Sequence, residues 1–175
     1  MATIDLYPST AVWAEAFTLA ALANVLGNTT AYATHTGAVG LYNALSGRFY
    51  FPMTDIPEGA TVNSITANVI AKASATGRRS MYSIDVYGAG TILRTPDIAM
   101  GTTDATYSVT ITGAEFLSVG WTSAALRNNA IEWTVSLLSK SAVSTTTSWQ
   151  KFWLAVDYTL AAAGGPNALF LGENF

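Results

Sequence analysis

From Phe49 onward, apolar and polar residues alternate in short runs, and each run is closed by Gly, Pro, Asn or Asp. Side chains on a strand point to opposite faces in turn, so this is the pattern of half-buried antiparallel strands. Phe49 and Phe51 fall on one face, Arg48 and Tyr50 on the other. Ile56-Pro57-Glu58-Gly59-Ala60 then reads as a turn, because Pro57 fixes its own φ and Gly59 tolerates a positive one. In the next run Ile65, Ala67, Val69, Ala71 and Ala73 share an inward face, and Thr66, Asn68, Ile70 and Lys72 share the outward one. Tyr82, Ile84 and Val86 oppose Met81, Ser83, Asp85 and Tyr87, and Tyr107, Val109 and Ile111 alternate with Ser108, Thr110 and Thr112. After Gly120-Trp121, Thr122 or Ser123 is placed to cap one helical turn that ends at Asn128-Asn129. Two strands close the pattern, one carrying Ile131, Trp133, Val135 and Leu137, the other Phe152, Leu154, Val156 and Tyr158.

Six or seven strands without long intervening helices predict an all-β chain, an antiparallel two-sheet β-sandwich. A jelly-roll connection is compatible with the pattern, which does not itself set the strand order. Residues 28–160 form the expected sandwich domain. Residues 1–27 are expected to be irregular or partly helical, packed on the domain or on a neighbour, since Trp13, Phe17, Leu19, Leu22, Val25 and Leu26 follow no strand period. Residues 161–175 read as a flexible break, Ala161 to Pro166, followed by an apolar C-terminal arm carrying Leu169, Phe170, Leu171 and Phe175. Such an arm is expected to pack on an adjacent subunit.

Composition changes the picture in one respect. Charged residues are 11% of the 175-residue chain while apolar residues are 50%, and an average soluble domain carries about 25% charge. Depletion of charge marks the centre of protein interfaces, so the expected partners are other copies of the chain and other proteins. A net charge of −3 with one basic pair, Arg78-Arg79, excludes a phosphate-tracking surface, and no nucleic-acid partner is expected. The longest apolar stretch, Ala11 to Leu26, is broken by Glu15 and Asn24, so neither a membrane span nor a secretion signal is read there.

Candidate chemistry is sparse. There is no cysteine and a single histidine, His35, in a polar run, which reads as a surface or loop residue. No hydrolase, zinc or phosphate-binding motif is present, so the chain is read as no enzyme, with no catalytic residue, cofactor or metal. Asp85, Glu132 and Asp157 fall on outward registers and are read as solvated acids, not as a catalytic pair. The stretch from Asp97 to Asp104 is where a calcium site would be sought. Aromatic residues are more telling. Trp133 shares the register of Val135 and belongs to the core, whereas Trp149 and Trp153 flank Phe152, so one of them must leave the core. An outward Trp or Tyr serves either as an interface anchor or as a platform on which a sugar ring stacks. Trp149, Trp153, Tyr87, Leu169, Phe170, Leu171 and Phe175 are therefore the candidate contact residues.

The run Ile56-Pro57-Glu58-Gly59-Ala60-Thr61-Val62-Asn63-Ser64-Ile65 resembles the turn and strand of small tailed-bacteriophage virion proteins. Gly120-Trp121-Thr122 before a penultimate strand and the closing Leu154-Ala155-Val156-Asp157-Tyr158 extend the resemblance over roughly residues 28–159. It implies a non-enzymatic virion structural protein, oligomeric and located in the virion. The expected role is that of a capsid decoration or cement subunit on the major capsid protein, with a neck or tail subunit as the alternative. An alternative of another class is a carbohydrate-binding module that recognises host surface glycan through Trp149, Trp153 or Tyr87.

Overall fold

A computed structural model describes residues 1–15, 30–37, 43–74, 80–88, 91–94, 98–128, 131–139 and 145–161. It is an antiparallel β-sandwich. Eleven strands are described: β1 (Ala2–Leu6), β2 (Thr10–Glu15), β3 (Ala33–Gly37), β4 (Asn43–Tyr50), β5 (Thr61–Ala73), β6 (Ser80–Gly88), β7 (Thr91–Arg94), β8 (Ile98–Ala99), β9 (Ala105–Thr112), β10 (Ile131–Ser139) and β11 (Thr145–Thr159). One sheet runs β1-β11-β5-β9, with β3 also pairing β11. The other runs β2-β4-β10-β6-β7, with β8 also pairing β6. From β4 to β6 and again from β9 to β11, each successive strand crosses to the opposite sheet. With β1, β4, β5, β6, β7, β9, β10 and β11 counted from 1 to 8, the sheets read 1-8-3-6 and 2-7-4-5, the order of a jelly roll.

The expectation for the N-terminus is corrected for the residues described. Residues 2–6 and 10–15 are neither irregular nor helical: β1 pairs the second half of β11, and β2 pairs β4 at the edge of the other sheet. Ile4 and Leu6 point to the core at a period of two, and an edge strand this short carries too few residues for the period to stand out. Residues 16–29, with Phe17, Leu19, Leu22, Val25 and Leu26, lie outside the described residues, as does the arm at 162–175. The backbone of His35 is on β3, opposite Thr147, and not in a loop.

The fifteen-residue β11 organises the first sheet. Its first half is flanked by β3 and its second by β1 on one side, and β5 runs along nearly all of the other. Two register shifts break strict alternation. Gln150 is an extra residue on β11 between Trp149, opposite Ala71, and Lys151, opposite Ile70. Asn63 plays the same part on β5, between Val62 and Ser64. A bulge changes which parity faces inward. Trp149 therefore joins Phe152, Leu154 and Val156 in the core, and Val62 joins Ile65, Ala67, Val69, Ala71 and Ala73. Trp149 stands in register with Ala33 on one side and Ala71 on the other, two small side chains that leave room for the indole. Phe152 meets the opposing layer edge-on, 5.1 Å from Phe49 and 5.2 Å from Phe51 between ring centroids, the arrangement the ring quadrupoles favour.

One end of the sandwich is closed by the segment between β4 and β5 and by two short helices, α1 (Gly113–Ser118) and α2 (Ser123–Arg127). As the sequence predicts, Gly59 has a positive φ of 73° and Thr122 caps α2, accepting from the amide of Ala125. The α1 helix was not predicted, yet Thr112 and Glu115 form a full capping box at its start. Met53, Ile56, Ala60, Val62, Phe116, Trp121 and Leu126 are buried there. The Arg127 Nε donates to the Ile56 carbonyl at 2.6 Å, and the Val62 amide donates to the Ser123 hydroxyl at 2.9 Å. A Cβ on Gly113 would stand 2.7 Å from the Val62 carbonyl oxygen, so the close approach of α1 to β5 requires glycine. Among the described residues no helix is long and apolar enough to cross a membrane.

Candidate functional site

Because β5, β9 and β11 alternate, the face of their sheet that points away from the core is built from the polar half of each strand. Thr66, Asn68 and Lys72 on β5, Thr106, Ser108 and Thr110 on β9, and Lys151, Trp153 and Asp157 on β11 form it. Three residues stand in one row across it: Trp153 is opposite Asn68, and Asn68 is opposite Ser108. The Ser108 hydroxyl donates to Asn68 Oδ1 at 2.6 Å, and Asn68 Nδ2 donates to the Thr66 carbonyl at 3.0 Å. The hydroxyls of Thr66 and Thr110 are 2.8 Å apart. Asn68 is 7% exposed, so its amide is engaged in these bonds and fixes the Ser108 hydroxyl, which is the exposed member of the pair.

At the β1 side of this row the half-buried rings of Trp153 and Tyr7 share one cation. Lys151 Nζ lies 4.7 Å from the Trp153 ring and 4.8 Å from the Tyr7 ring. Exposed cation–π contacts are worth about 0.5–1 kcal/mol each, so the ammonium keeps both rings in place but leaves either at small cost. The result is an aromatic platform bordered by the oriented hydroxyls of Ser108 and of the Thr66–Thr110 pair.

A second polar cluster lies at the far end of the same face. Tyr32 donates its hydroxyl to Asp104 Oδ2 at 2.7 Å, Lys72 Nζ is 3.3 Å from the same oxygen, and the ammonium also sits 4.6 Å from the Tyr32 ring. The Tyr32 hydrogen bond, followed by Lys72, holds the Asp104 carboxyl below its usual range, while Asp104 and then Tyr32 raise the Lys72 pKa. Asp104 is thus engaged by a phenol and an ammonium, not by other acids, and Asp97 lies outside the described residues. Among the described residues no three His, Asp or Glu side chains converge as a metal site.

The sequence-derived candidates separate. Trp149 is corrected: it is 1% exposed and belongs to the core, because Gln150 shifts the register, so it offers neither an interface anchor nor a sugar platform. Trp153 is the tryptophan that leaves the core. The backbone of Tyr87 is on β6 opposite Glu132 and Ile92, and its side chain lies outside the described residues, as do Leu169, Phe170, Leu171 and Phe175. Asp157 is on β11 between Thr3 and Ser64, with Oδ1 shielded from solvent. Tyr7, Asn68 and Lys151 were missed as site residues. Asn68 and Lys151 were visible on outward registers, but nothing local ties Tyr7 to them.

No protein-family model and no curated protein matches the chain. Solved structures match in fold. An arabinose-bound α-L-arabinofuranosidase superposes on 87% of this chain with a TM-score of 0.52 at 12% identity, and the chain spans only 26% of that enzyme. The carbohydrate-binding module CBM4 aligns over 87% of this chain and 94% of its own, with a TM-score of 0.46 and 14% identity. The N-terminal cellulose-binding domain of β-1,4-glucanase C from Cellulomonas fimi covers 78% of this chain and 84% of its own, with a TM-score of 0.44 and 15% identity. At these identities the likeness concerns the β-sandwich alone.

Proposed function

We propose that the protein is a non-catalytic carbohydrate-binding β-sandwich that takes a glycan across the outer face of the β1-β11-β5-β9 sheet. The observation that carries this reading is the row formed by the half-buried Trp153 ring and the Asn68–Ser108 pair, beside the Lys151 ammonium and the Tyr7 ring. A sugar ring presents an apolar face of C–H groups and a rim of hydroxyls, and needs an aromatic surface for the first and fixed donors and acceptors for the second. Lys151 covers the rings in the free protein and moves to the rim of the ligand at the cost of a weak contact. The likeness to carbohydrate-binding modules agrees with this reading without carrying it.

Titration of the protein against a panel of neutral and acidic oligosaccharides tests the proposal. Binding by the native chain, weakened at least about tenfold by Trp153→Ala with an unchanged circular dichroism spectrum, is expected, a factor equivalent to about 1.4 kcal/mol. Lys151→Ala should change affinity less than Trp153→Ala does. Absence of binding to every glycan, or equal binding by the Trp153→Ala variant, would overturn it.

A second reading is that of a bacteriophage virion subunit, supported by the low charge of 11% and by the virion-like run from Ile56 to Ile65. That run forms the buried closure of the sandwich end, where Ile56, Ala60, Val62 and Ile65 are core residues. It therefore bears on construction more than on a contact surface. Detection of the chain in purified particles supports this reading, and its absence from them ends it. The two readings are compatible, since a virion subunit can carry a glycan-binding face.

A further inference from the structure

We infer that the glycan taken by the outer face is acidic, and that Lys151 recognises a carboxylate on the rim of the sugar stacked on Trp153. This rests on the carbohydrate-binding reading above and names the class of sugar that the same site selects. Two lysines stand on the outer face of the β1-β11-β5-β9 sheet, Lys72 on β5 and Lys151 on β11, and their surroundings differ. Lys72 is paired, with its Nζ 3.3 Å from Asp104 Oδ2. Among the described residues no carboxylate pairs with Lys151, whose Nζ rests against the rings of Trp153 at 4.7 Å and Tyr7 at 4.8 Å. One lysine of the face is neutralised and the other is not.

The acids of the face lie elsewhere. Asp104 is engaged by Tyr32 and Lys72. Asp5 is exposed on β1 opposite Ala155, and Asp157 is two residues further along β11. Lys151 and Ala155 are four steps apart on that strand, ~13 Å of backbone, which exceeds the ~8 Å screening length of physiological salt. Trp153 is midway between them. The platform is therefore positive on its Lys151 side and negative on its Asp5 side, and a stacked sugar with one charged edge has a single favourable orientation on it.

The chemistry of the rim selects a carboxylate. Both ring contacts of Lys151 are weak, so a sugar that stacks on Trp153 displaces the ammonium to the sugar's edge, and the flexible lysine stem lets Nζ follow it. In a hexuronic acid the C6 carboxylate lies on that edge, and an N–H bond from an ammonium to an ionised oxygen is roughly twice as strong as a neutral one. A neutral sugar offers the ammonium only hydroxyls, for which water substitutes well. Neutral hydroxyls already find fixed partners in Ser108 and the Thr66–Thr110 pair, so what Lys151 adds is charge. The whole chain carries a net charge of −3, so no long-range attraction draws an anion in. The preference is local to Lys151 and is weakened by salt.

Matched trisaccharides that differ only in oxidation of C6 test this: glucose against glucuronate, galactose against galacturonate, and mannose against mannuronate, each titrated calorimetrically with the native chain. In the pair that binds, the acidic member should bind about fivefold tighter, the size of a well-placed exposed ion pair. Raising salt from about 0.1 M to about 1 M shortens the screening length from ~10 Å to ~3 Å and should remove most of that excess. Lys151→Gln should make the two members bind alike, and Lys151→Arg should keep the preference. Lys72→Gln should keep it too, since that charge is already matched by Asp104. Equal or tighter binding of the neutral member, or a preference that survives Lys151→Gln, would overturn the inference and leave the carbohydrate-binding reading standing. Binding by none of the acidic members would overturn it as well, together with the carbohydrate-binding reading if every neutral glycan also fails.

Discussion

The two faces of the β1-β11-β5-β9 sheet come from the same few strands and have opposite properties. Inward, Ile65, Ala67, Val69 and Ala71 meet Trp149, Phe152, Leu154 and Val156, every one of them at most 1% exposed. Outward, one residue along in each strand, stand Thr66, Asn68, Thr110, Lys151 and Trp153, joined by side-chain hydrogen bonds and cation–π contacts. The inner face is held by close packing, in which volume matters most, and the outer face by weak polar contacts that a ligand can exchange. The platform at Trp153 is firm because the residue beside it in the chain, Phe152, is held edge-on by the rings of Phe49 and Phe51. Firmness comes from one face and chemistry from the other.

The largest expected effects belong to the inner face. Trp149→Ala keeps the bulge and the register but empties the core site between Ala33 and Ala71. Truncating a buried aromatic costs about 3–5 kcal/mol, and chemical denaturation should show a loss of that size. Phe152→Ala keeps the register and removes the contact between the layers. A loss of about 3–5 kcal/mol is expected from the same measurement.

A smaller effect is expected at the closed end. Thr112→Ala removes the cap of α1 and should cost about 1 kcal/mol. The Glu115 carboxylate accepts from the Thr112 amide at 2.7 Å and from its hydroxyl at 2.8 Å, and these bonds, the amide first, lower its pKa below the ordinary 4.5. A carboxyl with a depressed folded-state pKa stabilises fully above its unfolded value and loses that contribution as pH falls through the folded one. Native stability should therefore decline more steeply below pH 4.5 than that of Glu115→Gln, as thermal melts across the acid range would show. The smallest stability effect belongs to the outer face: Lys151→Ala should change unfolding free energy by about 1 kcal/mol or less, since it removes only the cation–π contacts with Trp153 and Tyr7.

Much of this contrast is legible in the sequence. The alternation of β5 predicts every inward residue from Ile65 to Ala73, and the turn at Pro57 to Gly59 and the cap at Thr122 follow from local backbone chemistry. The bulge at Gln150 is not, because an inserted residue looks like any other polar residue until the partner strand is known. Trp149 and Trp153 share a parity and a residue type, and only the partner strand separates core from platform. The strands at residues 2–6 and 10–15 are too short for a period to speak, and their pairing with β11 and β4 is long-range. The cap of α1 was available in Thr112-Gly113-Ala114-Glu115 but lies where the strand pattern runs on. Tyr7, at one end of the chain, meets Lys151 at the other, and no local signal records that meeting.

The most direct measurement of the central claim is a calorimetric titration of the native chain and of Trp153→Ala with a glycan that the native chain binds, beside a denaturation curve for each. The substitution should weaken binding at least about tenfold while costing less unfolding free energy than Phe152→Ala does. Binding that survives the loss of Trp153, or that falls only in proportion to a collapse of stability, would contradict the claim.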